Sequence, residues 1–253
     1  MSHSLSKKIR LWILGTVLSL APLGFAAAAT PLELLQINAS RAVGSLAMYR
    51  GEGMQRMHSS RLDGDLAALA SAYQGTQEPS QALQTAYQEL LKQVRLGTSF
   101  GPEEDDVPWG YVADLSQALR VLLIEADTAA NSSPEALVPV QVEYLAMQYL
   151  YRSYLGSFET ARGETEIYVG KDERELVPAI DAVLAQKDEK ADAAVAKLKT
   201  RWTYLRSALS DMNSQSNTLE SASGRAFAPI TVARHSRTLT DSWLDLQAST
   251  AIQ

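Results

Sequence analysis

Residues 48–62, MYRGEGMQRMHSSRL, hold three methionines, one histidine and three arginines, with glycines at 51 and 53. Thioether and imidazole groups suit copper or haem iron. Guanidinium groups suit carboxylates and small planar anions, which they grip through two parallel N–H donors. Read as one helix, the stretch places Met48 and Met54 about 9 Å apart along the axis and well round its circumference, too far to share an ion. Met54 and His58 are four residues apart and face the same way. An iron site built on them needs a further ligand, and His235 is the candidate. The chain has only three histidines, one of them His3, and methionines commonly fill irregular gaps in a core. The expectation is no metal and no cofactor, with a metal or haem carrier using Met54, His58 or His235 kept as a second alternative.

On the same helical reading Leu46, Tyr49, Gly53, Met57, Ser60 and Gly64 share a face whose lower half is small. A glycine inside a helix costs roughly 1 kcal/mol relative to alanine, so close approach of a second helix is the expected compensation. Arg56 lies beside Gly53 and Ser60, so its guanidinium emerges next to that seam. A second copy across a two-fold axis would present the same arginine to a shared anion. Pairing with a carboxylate, or simple solvation, is the plainer fate of such an arginine.

Other chemistry is sparse. There is no glycine-flanked nucleophile, phosphate-binding glycine loop or paired zinc-ligand histidines, so the chain is read as non-enzymatic. The series Tyr144-Met147-Tyr151-Tyr154-Phe158 has the spacing of a core stripe. The acidic run 103–106 lacks the alternating ligands of a calcium loop.

The elements that position these residues follow from periodicity. Apolar residues recur at alternating spacings of three and four in almost every long segment, as in Val195-Leu198-Trp202-Leu205-Leu209 and Val232-Ser236-Leu239-Trp243. No segment sustains a period of two. Helices are expected over 31–74, 79–97, 108–130, 134–162, 172–187, 188–215 and 227–250. The connectors GTQEPS (75–80), GTSFGPEEDDVPWG (97–110) and NSSP (131–134) carry turn and capping chemistry. The fold class is all-α, an up-and-down antiparallel helical bundle. NSSP separates a first helical unit, 30–131, from a second, 132–253, giving either two related bundles or one elongated bundle.

The chain opens with Lys7, Lys8 and Arg10, an apolar run over 11–25, and small residues to Ala29. This order reads as a signal peptide, 1–29, with Ala27 and Ala29 placed for cleavage before Thr30; the alternative is an uncleaved anchor, since Leu11 to Ala29 comes close to the roughly 20 apolar residues that span a bilayer. A periplasmic or secreted location follows, with no membrane association after cleavage. Loss of three basic and no acidic residues leaves a net charge of −9 on the remaining 224 residues. Such a surface repels phosphate backbones, so no nucleic-acid partner is expected. The absence of cysteine excludes disulfides, thiolate zinc and covalent haem.

Residues 53–62, GMQRMHSSRL, resemble the first-helix motif of periplasmic nitrate/nitrite sensor domains and of the PilJ-type domain of pilus chemotaxis transducers. Ile37-Asn38-Ala39 and Gly44-Ser45-Leu46 resemble its accompanying asparagine and glycine-serine-leucine. KLKTRWTYLRSAL (197–209) resembles the tryptophan-bearing last helix of PilJ-type domains. The resemblance implies a sensor-like periplasmic bundle of type IV pili chemotaxis kind, a homodimer formed through the first helix, and a small anion such as nitrate or nitrite held by Arg56 of each copy. Gly53 is then the close-packing residue and Ser60 its neighbour on the seam. Glu52 stands where the family has alanine. The expected function is ligand or partner binding by an exported sensor-like module. The alternative is a structural or partner-binding cell-envelope protein with no small-molecule ligand.

Overall fold

The computed structural model describes residues 28–155, 173–190, 192–210 and 228–251. The leader assigned to 1–29 therefore lies outside the described residues except for its last two positions. The described residues form eight α-helices and no strand, the all-α architecture expected: α1 (Pro31–Gly51), α2 (Arg56–Gly75), α3 (Gln81–Ser99), α4 (Tyr111–Ala129), α5 (Pro134–Tyr154), α6 (Glu173–Ala185), α7 (Ala193–Leu209) and α8 (Pro229–Ala251). None of the described helices is long and apolar enough to cross a membrane.

Successive helices alternate in direction. Ser45 of α1 meets Asp65 of α2, the Tyr111 hydroxyl at the start of α4 donates to the Gln93 carbonyl late in α3, and Trp202 of α7 donates to Asp181 of α6. It follows that α1 and α5 run parallel, and the two pack side by side. Glu33 faces Ser132, Arg41 faces Glu143, and Gly51 faces Tyr154. Both helices are buried around most of their circumference over 35–48 and 138–151, as expected of helices enclosed by others rather than lying at a surface.

Local sequence explains why these two helices start where they do. Thr30 and Ser133 each occupy an N-cap, and each is followed by proline at the first helical position. At α1 the cap is reciprocal: Thr30 Oγ1 accepts from the Glu33 amide, and Glu33 Oε2 accepts from the Thr30 amide. Small residues then allow close contact between the two. A Cβ on Gly44 would stand 3.0 Å from a Leu150 methyl and 3.8 Å from the Met147 Cα, and one on Gly51 would stand 2.0 Å from the Tyr154 ring. One apolar core takes residues from all eight helices, so the halves on either side of NSSP share a single interior.

The segment expected as one helix over 31–74 is two helices. Glu52–Gln55 form a turn, with positive φ at Gly53 (76°) and Met54 (57°). The Met54 amide reaches back 2.7 Å to the Tyr49 carbonyl, and Gln55, in extended conformation, begins α2. Glycine tolerates this left-handed geometry without penalty. The helical period survives across the turn because α1 and α2 bury facing stripes against each other. No proline marks the break.

Candidate functional site

Two charged layers cross the interior where α1, α2, α5 and α8 meet. In the first, Arg41 of α1 donates through Nε and Nη2 to Glu143 Oε1 of α5 at 3.0 and 2.7 Å, and through Nη2 to Asp241 of α8 at 2.8 Å. One helical turn further along α1, Ser45 donates to Asp65 Oδ2 of α2 at 2.6 Å, and Arg237 of α8 bridges both carboxylate oxygens of Asp65 as well as the Ser45 hydroxyl. The i, i+4 spacing of 41 and 45 on α1 matches that of 237 and 241 on α8, so antiparallel packing stacks the layers. Burial works against the charge on Arg41, but Glu143 and Asp241 outweigh it and hold the guanidinium pKa above its ordinary value.

The space between the layers, beside Gly44 and Ser236, is about 10 Å³, room for one water. Each arginine already has its carboxylate, so an added anion would find no free donor fork. Neither layer was predicted from sequence. Their signal is present as arginine and acidic residues within otherwise apolar stripes, but the pairing spans up to 200 positions.

The predicted anion site lies elsewhere, at the end of the bundle formed by the α1–α2 turn and the α3–α4 loop. Gly53 is in the turn, exposed, with open space where a Cβ would stand. It is not a close-packing residue of a helix; that role within the chain falls to Gly44, Gly51 and Gly97. Arg56 is the first residue of α2, is exposed, and forms no ion pair with any described residue. Ser60 lies one turn further along α2 and also faces solvent. Arg56 and Ser60 thus share a helix face, while Gly53 is separated from them by the turn.

Met54 likewise sits in the turn rather than one helical turn before His58, which removes the geometry on which a shared metal was weighed. His58 is buried in α2. His235 packs on the Tyr204 ring of α7, with centroids 4.5 Å apart. Burial, then Arg234 and Arg201, push the His235 pKa below its usual value. No cluster of three or more His, Asp or Glu that could hold a metal ion occurs among the described residues.

The same end of the molecule carries a feature that sequence reasoning treated only as loop. Trp109 is 100% exposed, and Met57, at the start of α2, is 56% exposed. The loop that carries the tryptophan is tied down. Arg50 at the end of α1 donates to the carbonyls of Gly97, Phe100 and Gly101, and Phe100 packs edge-on against Tyr111 at 4.8 Å. The Asp106 carboxylate accepts from the Glu103 amide at 3.1 Å. Acidic residues at 103, 105 and 106, three to six positions before the tryptophan in the same loop, are exposed. A large apolar side chain is thus held out from a braced loop that also carries exposed acidic residues.

Fold and site together define an all-α bundle with two charge-paired layers in its interior and an exposed tryptophan at one end. The chain matches no family model, no curated protein and no solved structure. The resemblance to PilJ-type domains rests on the residues that first suggested it.

Proposed function

We propose that this is an exported, non-enzymatic helical module that binds a partner protein through the end of the bundle bearing Trp109. The observation that supports the reading is the complete exposure of Trp109 on a braced loop. Tryptophan is enriched at the centres of protein interfaces, where one buried indole often contributes a large share of the binding energy. The acidic side chains at 103, 105 and 106 select a partner with basic groups around an apolar recess. A photoreactive phenylalanine analogue at position 109 is expected to form one discrete adduct in cells. An analogue at exposed Gln84, near the opposite end of the bundle, is expected to form none, and Asp105→Lys is expected to reduce the yield at 109. No adduct at 109, or the same adduct from both positions, overturns the reading.

A second reading keeps the sensor-like chemistry. Ser60, Gly64, Ala67 and Ser71 recur along the exposed side of α2, with Arg56 at its head and without an ionic partner. Two copies pairing along this small-residue face would bring two arginines to one anion. Nitrate or nitrite is then expected to raise the Tm of a dimer seen by sedimentation, and Arg56→Ala is expected to abolish the shift without changing helix content. A monomer whose Tm is unmoved by these anions excludes it.

A further inference from the structure

Three acidic residues are buried among the described residues: Glu33, Asp65 and Glu143. Asp65 is held by Arg237 and Glu143 by Arg41. Glu33, only 3% exposed, has no lysine or arginine within ion-pair distance among the described residues. Its two oxygens accept from neutral donors: Oε1 from the Ser132 hydroxyl at 2.5 Å and Oε2 from the backbone nitrogen of Thr30 at 2.8 Å. A buried carboxylate with no cation is costly, and neutral donors compensate only in part.

Around it opens a cleft of about 690 Å³, where the N-termini of α1 and α5 meet the C-terminal ends of α6 and α8. Thr30 and Ala28 line this cleft, and so does Gln247 of α8, which is 4% exposed and whose Oε1 has no hydrogen-bond donor. The other charged groups facing it are Glu135 of α5 and Lys187 beyond α6, which form an ion pair with each other. The cleft thus holds an unneutralised carboxylate and a spare amide oxygen, both acceptors. That is a receptor for a primary ammonium group.

We propose that the ammonium is the chain's own: hydrolysis of the Ala29–Thr30 bond turns the Thr30 nitrogen into an α-amino group that forms an ion pair with Glu33. The inference rests on the reading of residues 1–29 as a removable leader. Water adds across the peptide bond, the Ala29 carboxylate departs with the leader, and the Thr30 amine takes a proton at neutral pH. No movement is needed, because the nitrogen already stands 2.8 Å from Glu33 Oε2. The α1 dipole opposes a cation at this end with roughly half a charge; the carboxylate opposes that with a full one. Processing then supplies the cation that Arg41 and Arg237 supply to the other two buried acids. It also ties the start of α1 to the start of α5 through Ser132.

The test compares the chain starting at Thr30, released from a fusion by a protease that leaves no extra residue, with the chain starting at Ala28. An amine paired with a carboxylate has a raised pKa, so acetylation of the Thr30 terminus at pH 7 is expected to be about 10-fold slower than in Glu33→Gln. The Ala28 chain, with its amine displaced by two residues, serves as the unpaired reference should Glu33→Gln fail to fold. The Thr30 chain is expected to have the higher urea midpoint at pH 6–7. The sign follows from the raised amine pKa: the advantage is full below the unfolded value near 8 and fades as pH rises through the folded value.

Equal acetylation rates and equal midpoints overturn the ion pair. Methylammonium that stabilises both chains alike assigns the cleft to a small amine ligand and overturns the role of the terminus. Intact mass of the exported protein reports the leader reading separately. A first residue other than Thr30 overturns the cleavage site even where the purified Thr30 chain shows the slowed amine.

Discussion

Arg41 and Arg56 are fifteen residues apart in the sequence, on neighbouring helices, and their surroundings differ in nearly every respect. Arg41 is enclosed, with a carboxylate from α5 on one side and another from α8 on the other. Arg56 begins a helix at the surface and meets no acid among the described residues. The two interior layers together draw their partners from four helices. The tip, by contrast, presents a cation and an indole that no described residue pairs with, on turns that also carry exposed carboxylates. Charge inside a bundle must be neutralised locally to be tolerated, whereas charge at its end is free to serve another molecule.

The largest expected effect comes from breaking the interior. Glu143→Leu removes the buried partner of Arg41 and is expected to destabilise the fold by about 3–5 kcal/mol, read as a fall in urea midpoint. Arg41→Met combined with Glu143→Leu is expected to recover much of that loss, because no unpaired charge then remains. If the double variant is no better than the single one, Arg41 is not the reason Glu143 matters. Asp241 is 59% exposed in its side chain, so Asp241→Asn is expected to cost less than about 1 kcal/mol.

A middle-sized effect separates the two kinds of glycine. Gly51→Ala places a methyl 2.0 Å from the Tyr154 ring and is expected to cost about 1–3 kcal/mol through overpacking. Gly53→Ala meets no neighbour within 4 Å, but it forces alanine into φ 76°, with an expected cost of about 1–2 kcal/mol. Thermal unfolding of both, together with Gly53→Asn, distinguishes the causes, since asparagine tolerates left-handed backbone and should restore the second site only. An equal response of Gly51 and Gly53 to asparagine contradicts the assignment of one to packing and the other to the turn.

The smallest effects lie at the periphery. Trp109→Ala is expected to change stability by less than about 0.5 kcal/mol; a large fall in Tm would mean that the indole is a core element after all. His235 has a lowered folded pKa, so the unfolded chain binds a proton first as pH falls below about 6.5. Stability should therefore decline with acidification in that window, and His235→Gln should flatten the decline. Denaturant midpoints between pH 5 and 7.5 measure it.

Sequence periodicity was enough for the fold class and for most helices, because each helix buries one stripe and the spacing of three and four is a direct consequence. The cap in NSSP was also legible: Ser133 accepts from a backbone amide in the first turn of α5, and Thr30 and Ser80 do the same for α1 and α3. The break at 52–55 escaped notice because facing stripes on α1 and α2 keep the same period on both sides of it. With the turn in place, the face assembled from Leu46, Gly53, Met57 and Ser60 no longer exists as a single surface, and only the Arg56–Ser60 part remains continuous. The signal for the turn was in plain view as the two glycines of Gly51-Glu52-Gly53, which a period-based reading takes as packing residues.

What the amino-acid order determined by itself is local: where helices start, which stripe of each is apolar, that cysteine chemistry is absent, and that the surface is acidic. What only the tertiary structure decided is which distant residues meet. The parallel pairing of α1 with α5, the stacking of Arg41–Glu143 above Ser45–Asp65–Arg237, and the contact of Glu33 with Ser132 join positions 20 to 200 residues apart. Helix propensity and capping act over a turn or two of chain. The choice of partners across a bundle is made by shape and charge in the folded core, where a single glycine at 44 or 51 sets how near two helices can come.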